Sequence, residues 1–180
     1  MAVTFTAHTG PSAAPLFPAL TDLYAVVYAE PPYEEGPEQV ARFRDGLPDE
    51  AARPGFTLVA AEHASTLIGA AYGWTMPAGR WWGRADQEPP DDLRDVDKFA
   101  VMEWLVHPTR RGEGVGAGLM RRLLADRPER VATLASNPLA PARRMYARAG
   151  WRPVAGSQMP DGTPMDLLIL GLPAAPIQGG

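Results

Sequence analysis

WLVHPTRRGEGVGAGLMRRLL, residues 104–124, places a hydrophobic strand directly before a glycine-rich turn and a helix. Glycines allow positive φ angles and let backbone N–H groups approach a ligand closely. The first four N–H groups of a helix have no partner inside it, and together with the helix dipole they attract anions. Arg110 or Arg111 adds a full positive charge at the rim of the turn. This stretch therefore predicts a phosphate-binding site.

Three kinds of phosphate site compete for this turn. A P-loop needs a Lys after its glycines, and none follows here. The dinucleotide fingerprint G-x-G-x-x-G/A matches residues 112–117 formally, but it normally opens a βαβ unit in which an acid closes the next strand. The next strand here ends at Ser136-Asn137, and the spacer from Pro108 to Arg111 makes the turn too long. A nicotinamide enzyme is therefore the weaker hypothesis.

The third kind of site follows from a resemblance to the GCN5-related N-acetyltransferase (GNAT) family. The pyrophosphate signature of that family is Arg/Gln-x-x-Gly-x-Gly/Ala at a strand-to-helix junction, and Arg111, Gly114 and Gly116 match it. Residues 142–151, ARRMYARAGW, resemble the family's second helix, in which a Tyr precedes a Gly–aromatic pair. The resemblance covers residues 99–151. It implies acetyl-CoA as cosubstrate and an amine as acceptor.

The same resemblance implies a set of cofactor contacts. In this family the backbone of the strand before the turn pairs with pantetheine, at a point where that strand splays from its neighbour. Family members often carry an Asn seven residues before the Tyr; that position is Leu139 here, and Asn137 lies nine before it. The predicted cofactor-binding residues are Trp104, Leu105, Val106, Arg111, Gly112, Glu113, Gly114, Val115, Gly116, Ala117 and Asn137.

Two residues are candidates for proton transfer. Glu103 is the only charged residue between Phe99 and Val106, and a carboxylate in an apolar strand is costly unless it is paired or functional. We predict that it is the general base, directly or through a water; the alternative is a paired structural Glu. Tyr146 lies where the resemblance puts the general acid, and a phenol can protonate a departing thiolate; the alternative is a core aromatic.

Other residues near this strand carry weaker expectations. His107 shares the face of Glu103 by strand alternation, and we expect it to be a loop-entry residue. No Cys exists and no Ser lies in a nucleophile-elbow pattern. The acyl group is therefore expected to pass by direct attack, without a covalent intermediate.

The acceptor side is predicted from aromatic residues. Tyr28, Tyr33, Trp81 and Trp82 are the candidates for a pocket, because aromatics beside acids favour cationic amines. The six acids within residues 86–97 can steer such an amine, although a solvated loop explains them equally well. A small-molecule primary amine is the expected acceptor. Protein or peptide N-acetylation and a non-catalytic acyl-CoA-binding module are the alternatives.

Composition excludes several classes of function. The net charge of −4 argues against nucleic acid as a partner, and the absence of Cys excludes disulfides, thiolate metal sites and a Cys nucleophile. No metal is expected. Neither a signal peptide nor an apolar stretch of membrane-spanning length is visible. A cytoplasmic enzyme without a membrane partner, as a monomer or a homodimer, is the expectation.

The order of elements predicts an α/β (α+β mixed-sheet) fold. The resemblance implies the acyl-CoA N-acyltransferase (GNAT) fold, a mostly antiparallel central sheet with helices on both faces. A single domain over residues 1–171 and a flexible tail over 172–180 are expected, with a long surface loop over 77–97. Periodicity predicts strands over 3–7, 56–62, 66–74, 99–106, 131–135, 151–154 and 165–170, and helices over 16–27, 37–47, 116–125 and 141–149.

Overall fold

The strands form one mixed sheet in a computed structural model that describes residues 2–173. The strands of the described chain are β1 Thr4–Thr9, β2 Thr57–His63, β3 Thr66–Met76, β4 Lys98–Val106, β5 Val131–Ser136, β6 Arg152–Gln158 and β7 Pro164–Gly171. Their order is β1-β2-β3-β4-β5-β7-β6. The β4–β5 pair is parallel, whereas β1–β2, β2–β3, β5–β7 and β6–β7 are antiparallel. The predicted mixed, mostly antiparallel sheet is confirmed.

The helices begin and end close to their predicted positions. They are α1 Phe17–Tyr28, α2 Pro37–Ala51, α3 Asp91–Arg94, α4 Val115–Leu123 and α5 Ala142–Arg148. Pro37 begins α2 as predicted, because its missing N–H would have no partner in the first turn. The side chain of Gln39 reaches back to accept from the N–H of Gly36 at 3.1 Å, which satisfies a further free donor at this helix start.

Two predicted element ends are wrong, that of α2 and that of β6, which was expected over 151–154 and continues to Gln158. Helix α2 was expected to end before Pro48, but it continues to Ala51. The extra turn is held by Glu50, whose carboxylate accepts from the indole N–H of Trp74 at 2.6 Å. The expected loop over 77–97 contains the single turn of α3, and Lys98 Nζ donates to two backbone carbonyls at the end of that segment, at 2.9 and 2.7 Å.

The described chain divides into two compact units, residues 2–74 with 102–125 and residues 75–101 with 126–173. The expectation of a single domain over 1–171 stays a prediction. Of the tail expected to be flexible, residues 174–180 lie outside the described residues.

In the first unit, helices cover both faces of the strands. Ala70 and Tyr72 of β3 belong to the same buried cluster as the apolar residues of α1 and α2. The intervening side of β3 faces α4: a Cβ added to Gly69 would lie 3.0 Å from the side chains of both Val115 and Leu119. Alternate residues of a strand point to opposite faces, so these contacts place α1 and α2 on one face and α4 on the other.

In the second unit, a buried ion pair lies beside the start of β4. Arg127 Nε and Glu129 Oε2 are 2.8 Å apart, and both side chains are almost fully buried. Thr75 donates to the other carboxylate oxygen at 2.5 Å, and the guanidinium lies 3.6 Å above the centre of the Phe99 ring. A buried pair tolerates burial when further hydrogen bonds satisfy its charges, and these contacts hold the first residues of β4 in place.

Candidate active site

The glycine turn has the conformation that an anion site requires. Gly112 and Gly114 both have φ of +80°, a region that L side chains rarely adopt. A Cβ at either position would meet nothing within 4 Å, so the backbone conformation, rather than lack of space, explains why these residues are glycine. Gly114 is the N-cap of α4, and no side chain of the described residues caps that helix start. The first amides of α4 are therefore directed at solvent or a ligand.

Trp104 connects β4 to this turn. Its indole N–H donates to the carbonyl of Gly116 at 3.0 Å, and a Cβ on Gly116 would lie 3.3 Å from the indole ring. Glycine at this position thus allows the helix start to pack closely against the strand. The packing joins the segment predicted to contact pantetheine to the segment predicted to contact the diphosphate.

The two arginines of the turn are both paired with acids. Arg111 lies 2.7 Å from Glu30, which follows α1, and the two side chains are 49% and 43% exposed. Arg110 lies 3.2 Å from Glu113 within the turn itself. An exposed ion pair contributes about 0–1 kcal/mol to stability, so a diphosphate can displace the Glu30 carboxylate and pair with Arg111 in its place. With the uncapped amides of α4, these side chains suit a group of two negative charges.

Glu103 is hydrogen-bonded to a tyrosine of helix α1. Tyr28 Oη donates to Glu103 Oε2 at 2.6 Å. Burial raises the pKa of Glu103 to about 8; the hydrogen bond from Tyr28 lowers it, and the nearby charges of Glu35 and Glu50 raise it. A carboxylate with a pKa near neutral can both take up and release a proton at physiological pH, which is what a general base must do.

The tyrosine that binds this carboxylate packs against two other tyrosine rings. The ring centre of Tyr28 lies 4.7 Å from that of Tyr33, edge to face, and 4.4 Å from that of Tyr24. Tyr24 donates to Glu35 at 2.6 Å. The pKa of each tyrosine is raised, first by burial and next by the charge of Glu103, so the phenols remain protonated donors. The contacts of Tyr28 with Glu103 and with Tyr33 were not predicted, and the role of the two tyrosines toward an acceptor stays a prediction.

Tyr24 and Glu35 were missed by the sequence analysis. Tyr24 precedes Tyr28 by one helical turn, and residues four apart share a helix face, so the spacing was a usable signal. Glu35 lies in the loop before α2, where no local pattern distinguishes it from Glu34.

The predicted acceptor tryptophans lie in the second unit. Trp82 donates from its indole N–H to Thr133 Oγ1 at 3.0 Å. Trp81 packs against a cluster of Leu93, Val131 and Ile169, and its indole nitrogen has no hydrogen-bond partner among the described residues. Both rings therefore contact the interior of this unit, and their role toward an acceptor stays a prediction.

Asn137 and Tyr146 are both buried in the second unit. Asn137 Oδ1 accepts from the backbone N–H of Leu139 at 2.8 Å, so its carbonyl oxygen shapes the loop before α5. Tyr146 contacts the Trp151 ring edge to face, with ring centres 5.9 Å apart. The cofactor and acid roles of these two residues stay predictions.

His107 is hydrogen-bonded to Thr109 Oγ1 at 2.9 Å, as expected for a residue at a loop entry.

Comparisons with known proteins agree with this geometry. The model of the acetyltransferase (GNAT) family matches residues 18–151. Among solved structures, a protein of Desulfovibrio desulfuricans assigned to the GNAT family is 21% identical, with 94% of this chain and 99% of that chain covered and a TM-score of 0.63. An aminoglycoside 6'-acetyltransferase of type Ii is 16% identical over 96% and 99%, with a TM-score of 0.65. Arabidopsis thaliana NAA60 in complex with a bisubstrate analogue is 16% identical over 94% and 98%, with a TM-score of 0.64. No curated protein matches the chain.

The family model matches most of the chain, and the mixed sheet with its glycine turn leading into a helix agrees with that match. The chain belongs to the GNAT family of acetyltransferases, whose members use acetyl-CoA as cosubstrate. The predicted family, fold and enzyme class are therefore confirmed. At these identities the solved structures show the fold alone.

Two further features concern partners. None of the helices in residues 2–173 combines the length and the apolar character needed to cross a bilayer. No group of three or more His, Asp or Glu side chains suited to a metal ion occurs in the same residues, and the expectation that no metal takes part stays a prediction.

Proposed function

We propose that the chain transfers an acetyl group from acetyl-CoA to a primary amine of a small molecule by direct attack. The observation that carries this proposal is the hydrogen-bonded Glu103, whose pKa is raised to about 8 by burial. A carboxylate of ordinary pKa would be a weak base toward an ammonium, because its own pKa lies near 4. Tyr28, Tyr33 and Glu103 are each half-buried, so the carboxylate is shielded from water without being closed to an amine.

The proposed chemistry assigns each proton. Glu103 takes a proton from the ammonium of the acceptor, directly or through a water, and the neutral nitrogen attacks the thioester carbonyl. A C–N bond forms, the C–S bond breaks, and the thiolate of CoA receives a proton from Tyr146. The attacking nitrogen loses its second proton as the amide forms, and a proton from water restores the Tyr146 hydroxyl. The uncapped amides of α4 and the side chain of Arg111 bind the diphosphate.

A panel of amines tests the proposal. Purified protein is given acetyl-CoA with alkylamines, polyamines, amino sugars and peptides with free N-termini, and CoA release is followed with a thiol reagent. We expect turnover with small primary amines and a product heavier by one acetyl group in mass spectrometry. Turnover with peptides alone would replace the small-molecule acceptor by a protein one. Acetyl-CoA binding in calorimetry without any turnover would indicate a non-catalytic binding module, and an acetylated protein in intact mass would contradict direct attack.

The ion pair at the glycine turn makes a prediction about cofactor affinity. Glu30→Gln removes the partner of Arg111 and leaves the guanidinium to the diphosphate. Since an exposed pair contributes up to about 1 kcal/mol, we expect acetyl-CoA to bind up to about fivefold more tightly in calorimetry. Glu38→Gln is the matched control, because Glu38 forms a comparable exposed pair with Arg42 at 3.2 Å and its loss changes the net charge equally. Equal tightening in both variants would show that only the net charge of the protein matters.

A further inference from the structure

The hydroxyl of Tyr28 fixes one oxygen of the Glu103 carboxylate. We propose that Tyr28 is a positioning residue for Glu103: its hydroxyl holds Oε2, and Oε1 is thereby presented to the acceptor amine. This inference rests on the proposed role of Glu103 as the base. It gives Tyr28, which the sequence suggested only as an acceptor contact, a role that acts through another residue.

The geometry supports a fixed hydroxyl. The Tyr28–Glu103 bond is 2.6 Å long, at the short end of the range for O–H···O hydrogen bonds. Tyr28 is the last residue of α1, and its ring is held by Tyr24 at 4.4 Å and by Tyr33 at 4.7 Å. Tyr24 in turn stacks on Phe43 of α2 at 3.9 Å. The phenol therefore has little freedom to leave the carboxylate.

The second carboxylate of this cluster has its own tyrosine. Glu35 accepts from Tyr24 at 2.6 Å, so each acid has a separate donor on α1. Removing either hydroxyl leaves the ring and the other pair in place. The two pairs thus differ in one respect that an experiment can use: only the Tyr28 pair involves the proposed base.

The charge state of Glu103 depends on groups from every element around it. Burial and the carboxylates of Glu35 and Glu50 favour the protonated form, and the hydrogen bond from Tyr28 favours the charged form. The titratable and charged groups coupled to this cluster are Tyr24 and Tyr28 of α1, Tyr33 and Glu35 of the following loop, Arg42 and Glu50 of α2, Tyr72 of β3, and Arg111 of the glycine turn. Loss of the Tyr28 hydroxyl therefore has a defined sign: it raises the pKa of Glu103.

The test compares Tyr28→Phe with Tyr24→Phe as its matched control. The Glu side chains are labelled with ¹³C, the Glu103 carboxyl resonance is assigned with Glu103→Gln, and its titration midpoint is measured in each protein. A hydrogen bond to a charged group is strong enough to move a pKa by about one unit. We expect the midpoint to rise by about one pH unit in Tyr28→Phe and to stay within about 0.3 unit in Tyr24→Phe. An unchanged midpoint in Tyr28→Phe would overturn the proposal, whatever the activity.

A kinetic measurement gives a second test. It uses kcat/KM of wild type divided by kcat/KM of Tyr28→Phe, because the ionisation of the acceptor cancels in this ratio. A one-unit rise predicts a ratio of about 10 at pH 7 that falls toward 1 near pH 10. A ratio that is the same at every pH would reduce Tyr28 to a structural residue and overturn the proposal. If Glu103→Gln were as active as wild type, the proposed base would be wrong, and the carboxyl titration would still decide whether Tyr28 controls Glu103.

Discussion

Glu103→Gln is expected to lower kcat/KM for the acceptor amine by about 100- to 1,000-fold, in the range that general acid–base catalysis contributes. The change removes the group that can accept a proton and keeps the shape of the side chain. The amide oxygen of Gln can still accept the hydrogen bond that Tyr28 donates to Glu103 at 2.6 Å. The loss should therefore report proton transfer rather than a displaced helix α1.

The pH profile carries the sign of this assignment. The pKa of Glu103 is raised to about 8, and only the deprotonated form can act as a base. Wild-type kcat/KM should therefore rise as pH passes through 8. This rise adds to the one that ionisation of the acceptor amine causes. In Glu103→Gln this limb should be absent, and the ratio of the two proteins should grow up to about pH 9 and then level.

Glu50→Gln is the matched control for Glu103→Gln. Glu50 belongs to the same cluster, and its carboxylate raises the pKa of Glu103. Removal of that charge should slightly lower the pH at which kcat/KM rises. The amide oxygen of Gln at position 50 can still accept the hydrogen bond from Trp74. A loss of activity in Glu50→Gln equal to that in Glu103→Gln would contradict a specific role for Glu103.

Folding stability separates lost catalysis from lost structure. The folded pKa of Glu103 is about 8, whereas an unfolded Glu has a pKa of about 4.3. Between these values the folded chain holds the extra proton, so the free energy of unfolding contributed by this group falls as pH rises from about 4 to 8. Above pH 8 the wild type carries a charged carboxylate at position 103, whereas the Gln variant carries a neutral amide. The melting temperature of Glu103→Gln should therefore be no lower than that of wild type at pH 9.

The sequence allowed the central part of the fold to be predicted because its determinants are local. The apolar run of β4, the glycines with positive φ and the apolar face of α4 are adjacent in the chain, and each element follows from its own residues. The end of α2 could not be predicted in this way. The local rule that a helix ends before Pro48 was overridden by the hydrogen bond between Trp74 and Glu50, residues of different elements.

The candidate site was predictable to a similar extent. The glycine turn and the lone charge of Glu103 are visible in the sequence. The partner of Glu103 is not, because Tyr28 is 75 residues away and meets it only when α1 packs on the sheet. The same holds for the pairing of Arg111 with Glu30, which are 81 residues apart. The sequence shows which residues carry charge, and the packing of the helices determines which charges meet.

Tyr146→Phe is the second substitution with a large expected effect. If Tyr146 protonates the leaving thiolate, removal of its hydroxyl should lower kcat by about 100-fold and leave the KM for acetyl-CoA within about twofold. The edge-to-face contact with Trp151, at 5.9 Å between ring centres, needs only the ring and is kept by Phe. The rate should be measured in a single turnover, because slow product release can hide a slower chemical step. Met145→Leu, at an exposed position of the same helix, is the matched control.

The dependence of this loss on pH distinguishes an acid from a structural aromatic. A thiol has a pKa of about 8.5, so above that pH the thiolate of CoA can leave without a proton. The deficit of Tyr146→Phe should therefore be largest near pH 7 and shrink toward pH 10. A deficit of the same size at every pH would indicate that the hydroxyl positions neighbouring groups, and full activity in single turnover would show that Tyr146 is only a core aromatic. Glu103 loses its proton over the same pH range, which raises the rate of both proteins equally. The comparison must therefore use the single-turnover rate of wild type divided by that of Tyr146→Phe at each pH, because the ionisation of Glu103 cancels in this ratio.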